Sequence, residues 1–207
     1  MPTIAFFIQG VIIASVAMYA SIYLSGILRG SVKPVLATWT FLSIATILSF
    51  ITNFSESGMQ GVLANSYNMI DSIATLVIFS VVLCKKGLRK TFTLFEIGCV
   101  AAVCLVFIAW IFSGQNVLAH LCLQIILVIA YIPTLVHLWY ATEVTEPLST
   151  WSLNVVAALF GLIEPAKSRA LLPLAYGIRS IVSCLAIILL TLRLRLRKSR
   201  ATHSSLL

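Results

Sequence analysis

Apolar residues run through this chain in blocks of about 20, parted by short connections rich in Ser, Thr, Asn, Gly and charged groups. Blocks of that length suit an α-helix crossing the hydrocarbon core of a bilayer. The pattern predicts spans at 4–27, 36–52, 61–84, 94–113, 117–140, 150–163 and 170–192. The second and sixth are short and carry Ser, Thr and Asn. No connection is long enough for a soluble domain, so the expectation is an all-α membrane protein of seven transmembrane helices.

Composition strengthens this reading. The chain has 207 residues, of which 60% are hydrophobic and 10% charged, and its mean hydropathy is +1.07, well above that of an ordinary soluble domain. The first apolar run has no basic leader and is long enough to span, so a retained helix is expected in place of a cleaved signal. Cys84, Cys99, Cys104, Cys122 and Cys184 fall in or at the ends of spans. Their number is odd and no metal spacing appears, so they read as small packing residues with no cofactor or metal site implied.

The net charge of +8 is distributed in a way that argues against nucleic acid. Taking the connections alternately, one side of the membrane receives Arg29, Lys33, the "KKGLRK" cluster and the tail "RLRLRKSR"; the other receives only Lys167 and Arg169. Basic connections stay in the cytoplasm, which predicts an outside N-terminus and a cytoplasmic C-terminus. The basic tail would anchor that topology and could touch anionic lipid headgroups.

An internal repeat is visible. "YASIYLSGILRGSVKPVLATW" (Tyr19 to Trp39) lies over "YIPTLVHLWYATEVTEPLSTW" (Tyr131 to Trp151), and "TWTFLSIATILSFI" over "TWSLNVVAALFGLI". Further on "MIDSIATLVI" lies over "GIRSIVSCLA", with an offset four residues smaller, as if a loop were shorter in the second copy. Weak tandem similarity of this kind marks duplicated membrane bundles. It divides the chain into a first three-helix repeat (1–84), a linker helix (85–116), a second three-helix repeat (117–192) and a basic tail (193–207). Three helices plus one linker give both copies the same orientation, so the expected fold is two parallel three-helix bundles.

On these residues the chain resembles the SWEET and PQ-loop superfamily, built as three helices, a linker and three more. "AYIPTLVHLWYATEVTEPLSTWSL" is similar to the PQ-loop pattern, with Thr134 where that pattern has Gln; the first copy has Ser21 in place of its proline. "KPVLATW" and "YIPT" look closest to bacterial relatives, and so to an inner-membrane location. The resemblance implies a solute site between the bundles, against polar residues of the third and seventh spans, and bending at a proline of the first and fifth. Carried over, it points to Asn65, Asn68 and Asp71, to Arg179 and Ser180, and to Pro133 as a hinge.

The residues themselves add a physical argument. Asp71 and Arg179 each fall about 15 Å inside a predicted span, near the middle of a core about 30 Å thick. Isolated charge at that depth is costly, so both are expected to face the protein interior or a wet cavity. They occupy equivalent sites of the repeat with opposite signs, which predicts an Asp71–Arg179 pair, direct or bridged by water or substrate. Asn65, Asn68 and Ser72 share one helical face with Asp71; Tyr176, Arg179 and Ser183 share another; Gln124 lies four residues from His120. Plainer roles compete: a structural clamp for the charges, interhelical glue for the asparagines, relief of packing for Pro133. His120 and the tryptophans, Trp39, Trp110, Trp139 and Trp151, read as interfacial residues near span ends. Glu143 and Glu146 read as a solvated helix end.

The leading expectation is an alternating-access transporter of a small polar solute, a monomer or homo-oligomer, with Asp71, Arg179, Asn65, Asn68, Tyr176, Ser180 and Gln124 lining a central site. The alternative is a receptor or assembly subunit of the same fold, using the basic tail and the acidic "TEVTE" segment as partner surfaces. No nucleophile, metal cluster or phosphate-binding loop favours an enzyme.

Overall fold

The computed structural model describes residues 2–64, 66–86 and 94–204. They form nine α-helices: α1 (Pro2–Arg29), α2 (Leu36–Ala64), α3 (Ser66–Lys86), α4 (Leu94–Ser113), α5 (Asn116–Ala130), α6 (Ile132–Tyr140), α7 (Leu148–Gly161), α8 (Ile163–Ser168) and α9 (Leu171–Ser204). Six stretches are long and apolar enough to cross a membrane: Ile4–Arg29, Thr38–Met59, Ser66–Lys85, Asn116–Tyr140, Leu148–Ser168 and Leu171–Lys198. A shorter apolar helix, Ala101–Ser113, lies within α4. Large apolar side chains such as Phe6, Phe7, Phe112 and Leu189 point outward, a surface that lipid accepts and water does not. The chain is an integral membrane protein of about seven helices.

Two spans are each split in two, and proline explains both breaks. Pro133 follows the break at Tyr131 between α5 and α6, and Pro165 follows the break at Leu162 between α7 and α8. Proline has no N–H to give the carbonyl four residues back, so the ladder fails there. At Tyr131 the turn tightens, its N–H bonding to the Val128 carbonyl at 3.2 Å. In α1 the equivalent position is Ser21, and α1 is unbroken.

The third helix of each group packs between the other two: α3 between α1 and α2, and α9 between α5–α6 and α7. The groups meet crosswise. The first helix of each lies against the second of the other, as α1 on α7 and α2 on α5. This is the contact pattern expected of two parallel three-helix bundles about a common axis. The linker α4 lies against α5 and α2.

Several boundaries differ from expectation. The stretch expected as a loop before the third span is helix: α2 runs to Ala64 through a kink at Gly58 (φ 63°, ψ −167°), a backbone that favours glycine. The third span therefore starts at Ser66, not 61. Where a separate tail is expected from 193, α9 continues to Ser204, and Arg193 stacks 3.9 Å above the Trp139 ring. At the end of α1, Lys85 Nζ donates to the Leu28 carbonyl at 3.0 Å and also to that of Ile27, capping the helix from the neighbouring span. Where α3 meets α7, a Cβ on Gly161 would come within 2.7 Å of Tyr67 Cβ, so glycine permits the approach. Of the cysteines, Cys184 is buried, while Cys84 and Cys104 face outward instead of packing.

Candidate functional site

The α1–α7 and α2–α5 contacts bring repeat-equivalent residues onto one small cavity at the junction of the groups. Tyr19 and Tyr131, Trp39 and Trp151, and Asp71 and Arg179 all line it. Its volume is about 20 Å³, enough for a single water and too small for a solute. The cavity thus lies at the junction to which the repeat pointed, and it is closed rather than a wide chamber.

Asp71 and Arg179 are 5% and 6% exposed, yet they form no direct ion pair; the ion pairs among the described residues are Lys33–Glu143 and Lys167–Glu164. The direct form of the expected pair is therefore not made, because both groups are held by others. The Tyr19 hydroxyl donates to Asp71 Oδ1 at 2.5 Å and the Tyr176 hydroxyl to Oδ2 at 2.6 Å. Both are short, as bonds to an ionised acceptor are. Arg179 Nε donates to Gln124 Oε1 at 3.3 Å, and its guanidinium lies 4.6 Å from the Tyr176 ring centroid. Tyr176 thus serves both charges, its hydroxyl on one and its ring on the other. Asp71 lies in the second turn of the shortened α3, but its bond to Tyr19, well inside α1, keeps it deep within the bundle.

Two polar atoms of the cavity lining are buried without a hydrogen-bond partner: Arg179 Nη2 and Thr150 Oγ1. Unsatisfied donors cost about 1–3 kcal/mol each, more when charged. An acceptor entering this cavity would have both within its lining.

From Arg179 a polar network runs toward the α8–α9 end. Gln124 Nε2 donates to Ser49 Oγ at 3.0 Å and lies 3.1 Å from His120 Nε2; Thr52 Oγ1 lies 3.1 Å from His120 Nδ1, and the Leu172 carbonyl 3.1 Å from Nε2. His120 is fully buried, which corrects the interfacial reading: neighbours on α2 and α9 cover a helix end that sequence alone leaves open. Asn68 belongs to the same network through Ser49 (3.5 Å) and does not line the cavity. Ser180 is bound to Tyr67, whose hydroxyl also reaches Asn154 Oδ1 at 2.7 Å. Asn65 lies outside the described residues.

On the other side of the cavity a second cluster forms. Trp39 Nε1 donates to the Tyr23 hydroxyl at 3.2 Å, Tyr23 donates to Glu146 Oε1 at 3.1 Å, and Trp151 Nε1 donates to Glu146 Oε2 at 3.1 Å. Glu146 is 2% exposed, so the solvated-helix-end reading fails for it; Glu143 is exposed and bridges to Lys33 at 3.4 Å. Trp39 and Trp151 are likewise buried, not interfacial, whereas Trp139 is exposed. The indoles are core residues because their N–H groups find partners inside.

Of the expected site residues described, only Asp71 and Arg179 line the cavity; Tyr176 and Gln124 sit behind them as their hydrogen-bond partners. Ser180 reaches the lining through Tyr67 and Asn154, Asn68 lies at the edge, and Pro133 is two residues from the cavity residue Tyr131. Sequence reasoning missed Tyr19, Tyr23, Tyr67, Glu146 and Asn154. A signal existed for the first: the repeat begins on Tyr19 and Tyr131. Among the described residues no cluster of His, Cys, Asp and Glu side chains is arranged to hold a metal. Compared with protein-family models, curated proteins and solved structures, the chain matches none of them.

Proposed function

We propose that this protein is an alternating-access transporter of a small polar solute, of the SWEET and PQ-loop type, in which the two groups rock about the central cavity. The observation that carries the reading is the convergence of repeat-equivalent residues on one interface cavity that holds two unpartnered buried donors, Arg179 Nη2 and Thr150 Oγ1. In this reading the arrangement described is the occluded one, and rocking would widen the 20 Å³ space enough to admit a solute. A solute offering an acceptor to Arg179 would satisfy the loose guanidinium nitrogen, and Asp71 would offer carboxylate lone pairs nearby. The break at Tyr131 gives the second group a bend next to the site, with Pro133 as the hinge. The basic connections favour an outside N-terminus and a cytoplasmic C-terminus, and the resemblance to bacterial relatives implies the inner membrane.

The receptor reading has less behind it. Its acidic partner surface would need "TEVTE" exposed, yet Thr145 and Glu146 are buried and Glu143 is paired with Lys33.

A thermal-shift screen of the purified protein against amino acids, sugars, nucleosides and organic acids tests the proposal. At least one class should raise the melting temperature, and Arg179→Gln and Asp71→Asn should each abolish that rise. A rise that survives both substitutions, or none across all four classes, removes the support for a central solute site.

A further inference from the structure

A much larger cavity lies away from the central one. It measures about 360 Å³, within the range of small-molecule sites, and is walled by Asn53 and Glu56 of α2 and by Pro165, Leu171, Leu172 and Pro173 of α8 and α9. It shares no lining residue with the central cavity.

Three features give it a chemical character. Asn53 is 2% exposed, and while its Oδ1 accepts from Ser57, its Nδ2 has no hydrogen-bond partner. Glu56 is the charged side chain of the lining; Asn116 Nδ2 donates to its Oε2 at 3.0 Å, which leaves carboxylate lone pairs for a further donor. Of the basic side chains on the facing segment, Lys167 is tied to Glu164 at 2.8 Å, and neither it nor Arg169 lines the cavity. The remaining wall is mainly apolar, with the hydroxyl residues Ser57 and Ser168 beside it. Gly58, two residues after Glu56, interrupts α2, so the last carbonyls before the kink add partial negative charge.

We propose that this cavity is a second binding site, separate from the central one, for an amphiphilic cation: an ammonium at Glu56, a hydroxyl or carbonyl acceptor on Asn53 Nδ2, and an apolar body against Leu171, Leu172 and the two prolines. Such a molecule touches both groups at once, α2 on one side and α8–α9 on the other, and so ties them in the closed arrangement. The Leu172 carbonyl joins the wall to His120 and, through Gln124, to Arg179. The site does not depend on the transport reading.

Calorimetric titration of the detergent-purified full chain with 2-amino-1-phenylethanol tests it, with 1-phenylethanol and phenylacetate as neutral and anionic controls. The amine should bind saturably at one site and the two controls should not. Asn53→Ala should weaken binding about tenfold. Glu56→Gln, at an exposed position that leaves the core intact, should weaken it about fivefold. Ala170→Trp, which fills the cavity from its rim, should abolish it. The proposal falls if the neutral alcohol binds as well as the amine, if no saturable binding occurs, or if Glu56→Gln and Ala170→Trp both bind like the parent.

Discussion

In the first group Asp71 takes a hydroxyl donor from each half of the molecule, Tyr19 on its own side and Tyr176 on the other. At the equivalent position in the second group Arg179 has one side-chain hydrogen bond, to Gln124, rests on the Tyr176 ring and keeps one nitrogen unpartnered. The backbones differ too, since α1 is continuous where α5–α6 is broken. The two halves thus hold their charges differently, and we propose that the first is the fixed wall and the second the adjustable one. A carboxylate with a donor on each oxygen is held from both halves; an under-coordinated guanidinium next to a bend has a nitrogen left to trade.

The sharpest break of that comparison is at the charges. Asp71→Leu strips an acceptor from two buried hydroxyls and leaves Arg179 without a nearby counter-charge, so it should cost about 3–5 kcal/mol. Arg179→Met loses one hydrogen bond and the ring contact and should cost less, about 1.5–3 kcal/mol. Chemical denaturation in detergent would show the order, and a larger loss for Arg179→Met would refute the division into fixed and adjustable walls. Next comes the backbone. Ser21→Pro would give α1 the proline of the other half, and in a continuous helix it should cost about 3 kcal/mol; Pro133→Ala, where the break already exists, should cost far less or stabilise. Equal effects on melting temperature would mean that the break at Tyr131 has little to do with Pro133. The smallest effect tests the third asymmetry, the buried Glu146 standing where the first copy has Pro34. Glu146→Gln keeps the shape and one acceptor but removes the charge on which Tyr23 and Trp151 converge, for about 1.5 kcal/mol. Trp fluorescence should report the loosened cluster; unchanged emission would show that the indoles are held by packing alone.

Much of this was legible in the chain. The repeat placed Asp71 and Arg179 at equivalent stations, and both line one cavity. What escaped was the identity of their partners. Glu146 looks like a solvated acid in "TEVTEP" because its neighbours in sequence are polar, and only the packing of Tyr23 and Trp151 buries it. His120 looks like a helix end, and only Thr52 and Leu172 enclose it.

Sequence by itself determined the solvent and the approximate number of spans, because apolar length against bilayer thickness is a local property that needs no neighbours. It also pointed to one break of the second half, at Pro133, since a proline withdraws its own N–H whatever surrounds it. The break before Pro165, at the edge of the span expected at 150–163, it did not mark. Only the tertiary structure decided which groups touch. The bonds at Asp71 join residues 52 and 105 positions apart, and each depends on ångström-scale helix placement that hydropathy does not encode. For that reason the opposite charges, matched so plainly by the repeat, reach each other through a tyrosine and not directly.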